Sequence, residues 1–204
     1  MKIFAHRGAS IEAPDNSPEA VRKALEIGVD GIEIDCHLGP EGTPVASHDE
    51  PTADAVPLAE ILKIIRPTQT PVILDFKTDP KKIIPLCLEI LSPGQMLASS
   101  FKLRHLFWLK QNHPGLARGW IAAPRSFRLV WPSIFGKLLP IRSIHPCLAG
   151  LTVERVRQWQ KAGWKVYAWV ANTEEDFGNC LTLGVDGIFT DDPRRAKEWL
   201  TTKN

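Results

Sequence analysis

Short apolar runs that read as strands alternate with longer runs that read as helices from one end of this chain to the other. That alternation narrows the available folds more than any other feature. Lys2–Ala5 is an apolar strand. Ser17–Ile27 is a helix with Ser17 as its cap, Pro18 at its first position and Gly28 as its stop. Gly31–Leu38 is the second strand, with Thr43–Ser47 as an extended return after a turn at 39–42. The series continues with Pro57–Ile65 as helix, Pro71–Phe76 as strand, Pro80–Leu91 as a helix with a proline inside, and Gln95–Ser99 as strand. Lys102–Asn112 is helical, Leu116–Ala122 a strand, and Phe127–Leu139 an irregular helix broken by Pro132 and Gly136. Ile141–His145, Lys165–Val170 and Gly187–Thr190 are the last strands, interleaved with helices at Thr152–Ala162, Glu174–Leu183 and Arg194–Leu200. Eight such β-then-α units predict an α/β fold with a parallel sheet and right-handed crossovers. Eight units close naturally into a TIM (β/α)8 barrel, here a single domain over residues 1–204, with a doubly wound open sheet as the alternative.

Composition and charge remove several classes of function. The chain is 44% hydrophobic and 24% charged, as an ordinary globular protein is. A net charge of +2 without a long basic run gives no footprint for nucleic acid. Cys36, Cys87, Cys147 and Cys180 are scattered with no C-x-x-C pair, which argues against a zinc knuckle or disulfide framework and for a reducing compartment. Met1–Ala5 runs straight into His6 with no apolar leader, and no apolar run approaches the ~18 residues of a membrane span. A cytoplasmic protein without an integral membrane segment is expected. Gly28-Val29-Asp30-Gly31-Ile32 recurs as Gly184-Val185-Asp186-Gly187-Ile188, each where a helix ends and a strand begins, which reads as shared αβ-loop chemistry.

The residues that carry chemistry cluster at strand ends. His6 and Arg7 follow the first strand, Glu33 and Asp35 stand two apart on the second, and His48 lies on the extension after it. Residues two apart in a strand face the same side, so Glu33 and Asp35 present adjacent carboxylates that a hard divalent cation would hold together. Two imidazoles nearby can serve as general acid and general base near neutral pH. Asp75 and Lys77, again two apart, end the third strand, while Ser100, His145, Trp169 and Asp191 lie near later strand ends. In a barrel all of these share the face where catalytic residues gather. Metal, acid, base and arginine together suit hydrolysis of a phosphate ester. His105 and His113, on a helix and at its exit, read as surface residues.

H-R-G at 6–8, P-D-N at 14–16, G-V-D-G-I-E-I-D at 28–35 and H-D at 48–49 together resemble the glycerophosphodiester phosphodiesterase family. The likeness continues through Leu74-Asp75-Phe76-Lys77, Ser100-Phe101, Val166–Asn172 and Gly184–Asp191 with Pro193. The resemblance implies a TIM barrel, with His6 and His48 as the acid–base pair and Glu33, Asp35 and Asp75 as ligands of one Mg²⁺ or Ca²⁺. It makes Arg7 and Lys77 phosphate neutralisers and puts Asn16 at the edge of the site, while the strand-end positions of His145 and Trp169 make them candidate substrate contacts. Three features depart from the family pattern. Asp15 and Asp75 stand where Glu is usual, and only Glu50–Val56 replaces the long insertion after H-D.

The implied activity is metal-dependent hydrolysis of small glycerophosphodiesters to glycerol 3-phosphate and an alcohol, in lipid and glycerol metabolism. One alternative enlarges the substrate to a lysophospholipid. Its motive is 120–141, rich in Trp, Phe and Leu with Arg125, Arg128 and Lys137 interspersed, which could hold an acyl chain or make peripheral membrane contact. Another is a barrel that binds phosphorylated ligands without turning them over.

Overall fold

The computed structural model describes residues 1–123 and 138–203. Among these residues there are ten strands: β1 (Lys2–Ala5), β2 (Gly31–Leu38), β3 (Pro44–Ala46), β4 (Val56–Pro57), β5 (Val72–Phe76), β6 (Met96–Ser100), β7 (Ala117–Ala122), β8 (Ser143–Pro146), β9 (Lys165–Ala168) and β10 (Gly187–Thr190). All but β3 and β4 run parallel, and because β1 pairs with both β2 and β10 they close into an eight-stranded barrel. That closure rules out the open sheet. Around it lie α1 (Pro18–Ile27), α2 (Leu58–Ile65), α3 (Ile84–Ile90), α4 (Leu103–Asn112), α5 (Val153–Lys161), α6 (Glu174–Leu183) and α7 (Pro193–Thr201). The helix expected at Phe127–Leu139 falls, but for its last two residues, outside the described residues.

Local chemistry sets the boundaries. The Ser17 hydroxyl accepts from Ala20 N–H, and Gly28 takes the left-handed conformation that ends α1. The Pro80–Leu91 stretch divides into a 3-10 turn at Pro80–Lys82 and α3. Pro85 sits in the first turn of α3, where its missing N–H has no intrahelical partner to lose, so it starts a helix rather than kinking one. Val56–Pro57 forms an unforeseen short strand on β3, which is itself antiparallel to the end of β2. This small flap stands where the resemblance leads one to expect a long insertion, and His48 lies in the loop after β3.

Strand parity builds the interior. On β2, Ile32, Ile34 and Cys36 belong to the apolar layer under the helices, while Gly31, Glu33 and Asp35 alternate with them and face into the barrel. Phe4, Ile73, Tyr167 and Phe189 form a separate interior cluster, with the Phe4 ring 4.7 Å from Tyr167 and 5.3 Å from Phe189. Two residues further along the same strands the parity delivers His6, Asp75, Trp169 and Asp191, so an apolar plug underlies a polar layer.

The repeated G-V-D-G-I segments serve the opposite end of the barrel. Asp30 accepts from Ile3 N–H at 2.8 Å and Asp186 from Val166 N–H at 3.0 Å, each holding the start of the neighbouring strand. A Cβ at Gly31 or Gly187 would come within 2.9 Å of the Phe4 ring, so both glycines make room for the plug.

Candidate active site

Three carboxylates converge at the C-terminal end of the barrel. Asp35 and Asp75 are register partners on β2 and β5, and Glu33 lies one inward position deeper. One oxygen from each can be chosen so that all three lie within 4.8 Å of one another. All three side chains are buried, Asp35 being 1% exposed. Burial, then repulsion from Asp35 and Asp75, raises the Glu33 carboxyl well above its ordinary range. Burial pushes Asp75 up to about 6 against the pull of Lys77. For Asp35 burial acts upward too, but Lys77, Asn16 and Arg7 outweigh it and hold the group ionised. Three such groups cannot all carry charge at this spacing without further positive charge. Asp75 Oδ1 is buried with no hydrogen-bond partner. An all-oxygen trio with one orphaned ligand atom fits a hard divalent cation.

Two side-chain cations and an amide organise the trio. Lys77 Nζ lies 2.8 Å from Asp35 Oδ1 and hydrogen-bonds Asp75 Oδ2. Arg7 Nε stands 3.0 Å from Asp35 Oδ2, and its Nη1 donates to Asp15 at 3.1 Å. Arg7 takes a left-handed backbone conformation (φ 59°), which turns its own N–H onto Glu33 Oε2 at 3.0 Å. Asn16, also left-handed (φ 52°), donates from Nδ2 to Asp35 Oδ2 and accepts from Asp35 N–H. Its amide thus orients a carboxylate. Strained backbone concentrated at two such residues is typical of sites where geometry must be held.

The histidines flank this cluster differently. His6 Nδ1 lies 2.7 Å from Asp191 Oδ1, and His48 Nδ1 lies 2.8 Å from Asp49 Oδ1. His48 is 45% exposed in its side chain, and Asp49 is 92% exposed. A cavity of about 120 Å³ is lined by His6, Arg7, Glu33, His48, Asp75 and Lys77 on its polar side. Ile73, Phe101, Ile121, Trp169, Val170 and Phe189 form its apolar side. Phe101 and Trp169 meet edge to face at 5.8 Å, and Lys77 Nζ stands 5.8 Å over the Phe101 ring.

His145 also lines this cavity, but as a buried floor residue. Its Nε2 meets Ser143 Oγ at 2.9 Å, and burial lowers it to about 3, so it stays neutral. A neutral ring supplies shape here rather than charge for a phosphate. Trp169 donates its indole N–H to the His145 carbonyl at 2.8 Å and presents its ring to the cavity.

Several neighbours of the site have no role evident from sequence. Asp191 shares the expected face, and Asn172 donates to it at 2.6 Å. The signal was available in the fold itself, since barrel closure makes the first and last strands neighbours. Ser100 points away from the cavity and donates to Phe76 C=O at 2.9 Å. His105, expected on the surface, is buried 3.1 Å from that same Ser100 hydroxyl.

The sequence model of the glycerophosphoryl diester phosphodiesterase family matches residues 6–64 and 80–195. A glycerophosphodiester phosphodiesterase of Caldanaerobacter subterraneus subsp. tengcongensis is 27% identical, the match covering 94% of each chain. One from Bacillus altitudinis is also 27% identical, over 96% of each. A phosphodiesterase of Oleispira antarctica, solved with its product sn-glycerol-3-phosphate, superposes with a TM-score of 0.86 at 24% identity, covering 98% of this chain and 97% of that one. A glycerophosphodiester phosphodiesterase of Parabacteroides distasonis gives 0.85 at 18% identity, over 99% and 97% of the two chains.

Proposed function

The chain belongs to the glycerophosphoryl diester phosphodiesterase family, and from that premise we propose that it hydrolyses glycerophosphodiesters to glycerol 3-phosphate and an alcohol. The observation that carries this reading is the buried Glu33–Asp35–Asp75 trio, with its unpartnered Asp75 oxygen, of which Glu33 and Asp75 line one cavity with Arg7, Lys77 and both histidines. Glu33, Asp35 and Asp75 would hold one Mg²⁺ or Ca²⁺, which when bound supplies positive charge to the non-bridging phosphate oxygens. Arg7 and Lys77 offset the charge that builds on phosphorus, the arginine with a planar fork suited to two oxygens. Asn16 keeps Asp35 aimed, and Trp169 with Phe101 and His145 shapes the wall against which the glycerol carbons and alcohol rest. Of His6 and His48, one takes the proton from the nucleophile, either water or the neighbouring glycerol hydroxyl, and the other gives a proton to the departing alkoxide. When the hydroxyl attacks, a cyclic phosphate forms and water opens it in a second step with the two proton transfers reversed. Each transfer is typically worth about 10²–10⁴-fold in rate.

The test is release of glycerol 3-phosphate from glycerophosphocholine with and without chelator. Release that needs added Mg²⁺ or Ca²⁺ supports the reading, and no release with either ion overturns it.

A lysophospholipid is a second candidate substrate. A trench of about 580 Å³ shares Trp169 and Val170 with the cavity, and its lining is mixed, with Leu148, Leu151 and Leu183 offering an acyl chain apolar contacts alongside Asp176, Asn179 and Thr182. The segment 120–141 that first suggested it lies mostly outside the described residues. Faster turnover of lysophosphatidylcholine than of glycerophosphocholine would favour it. Among the described residues no helix is long and apolar enough to cross a membrane, and all four cysteines are free thiols. The free thiols suit a reducing, cytoplasmic site of action.

A further inference from the structure

We infer that Asp191 is a positioning residue for the reaction proposed above: it holds His6 in a single tautomer and leaves Nε2 to face the reacting phosphodiester. The inference rests on that reading for its chemistry, and on barrel closure for its geometry. β1 and β10 pair in register, Ala5 opposite Thr190, and His6 N–H donates to Thr190 C=O at 2.9 Å. Side chains 185 positions apart in sequence therefore stand side by side, with Nδ1 and Oδ1 2.7 Å apart.

The carboxylate is itself held in place. Ser10 Oγ donates to Oδ1 at 3.1 Å and Asn172 Nδ2 to Oδ2 at 2.6 Å, while Asn172 Oδ1 accepts from Asp191 N–H at 2.9 Å. Burial raises the Asp191 carboxyl, but His6 and Asn172 outweigh it and bring it to about 2, so it is an acceptor only. A neutral imidazole has one N–H. An acceptor at Nδ1 commits that proton to Asp191 and leaves the Nε2 lone pair for the cavity that His6 lines. His48 has no comparable anchor, because its partner Asp49 is 92% exposed and water competes for the contact. The two histidines thus differ in how firmly they are aimed, a distinction their motifs do not reveal.

The replacement Asp191→Asn keeps the shape and offers an N–H where His6 needs an acceptor, which reverses the tautomer. In the metal-loaded enzyme we expect kcat on glycerophosphocholine to fall by about 10²–10⁴-fold with KM within about threefold. A ¹⁵N–¹H spectrum of the histidine side chains, assigned with His6→Gln, should show His6 protonated at Nδ1 in the wild type and at Nε2 in Asp191→Asn. A wild-type spectrum with His6 protonated at Nε2, or a kcat within threefold of wild type in the variant, overturns the inference. The wild-type spectrum needs no variant to fold beyond the assignment, and it decides the tautomer whether or not the substrate is the right one. Failure of the wild type to hydrolyse any glycerophosphodiester would instead overturn the functional reading.

Discussion

Replacing Lys77 with methionine removes the positive charge between two buried carboxylates while keeping most of the side-chain volume. The chosen oxygens of Glu33, Asp35 and Asp75 lie no more than 4.8 Å apart. At an effective dielectric constant of about 20, two unit charges at that distance repel by at least about 3.5 kcal/mol. Lys77 offsets this through its contacts to Asp35, at 2.8 Å, and to Asp75. Breaking such a buried arrangement by deleting one partner costs about 3–5 kcal/mol. Protonation of Asp75, already raised to about 6, returns part of that as the pH falls. In chelator at pH 8 the loss should therefore be about 3 kcal/mol, a Tm drop of ~6–12 °C at ~2–4 °C per kcal/mol for a chain of this size. At pH 5 the drop should be much smaller. Added Mg²⁺ or Ca²⁺ should raise the Tm of the variant by more than that of the wild type, because the ion then supplies the missing charge. Thermal unfolding followed by circular dichroism at both pH values, with and without ion, measures all of these. A Tm within 2 °C of wild type in chelator at pH 8, or an equal loss at pH 5 and pH 8, would show that Lys77 does not offset the repulsion between these carboxylates.

The remaining predictions concern the catalytic groups and the cation. His6→Ala and His48→Ala should each lower kcat by at least about 10²-fold with little change in Tm, and near-native turnover in either would remove it from the acid–base pair. Asp75→Glu restores a reach one C–C bond longer, so a metal titration of activity should show Mg²⁺ affinity rising more than Ca²⁺ affinity. Equal or weaker affinity for both ions would mean that the strand has already closed the gap. Asp75 titrates near 6 when folded against 3.8 for a free carboxyl, so the native state binds more protons between those values. The sign follows directly: without metal, its contribution to stability is fully present below about pH 4 and is lost as pH rises through about 6, at up to ~1.4 kcal/mol per unit. Urea unfolding in chelator reads this slope, and a slope of opposite sign over that window would contradict the burial argument.

Local rules were enough for most of the scaffold. Ser17, Pro18 and Gly28 bracket α1 as their cap chemistry requires, and the parity of β2 foretold that Glu33 and Asp35 share a face. Long-range geometry was not legible in local rules, and only the family resemblance brought Asp75 to Glu33 and Asp35. That Asp75 stands opposite Asp35 depends on the β2–β5 register, and that Asp191 meets His6 depends on closure of the ring. Neither is encoded in any window of neighbouring residues. The strand-end position of His145 points to the cavity it lines, but nothing local shows that burial keeps its ring neutral there. His105 was misplaced outright. An amphipathic pattern placed it on a helix without showing that the Ser100 hydroxyl would be waiting beneath.

The position of the cation can be observed directly. Crystals soaked with Mn²⁺ and sn-glycerol 3-phosphate, with diffraction collected at the manganese edge, locate the ion by its anomalous signal independently of any activity assay. The proposed ligand set predicts one strong peak at bonding distance from carboxylate oxygens of Glu33, Asp35 and Asp75, with the phosphate between it and Arg7. A peak elsewhere, or one coordinated by His6 or His48, would contradict it.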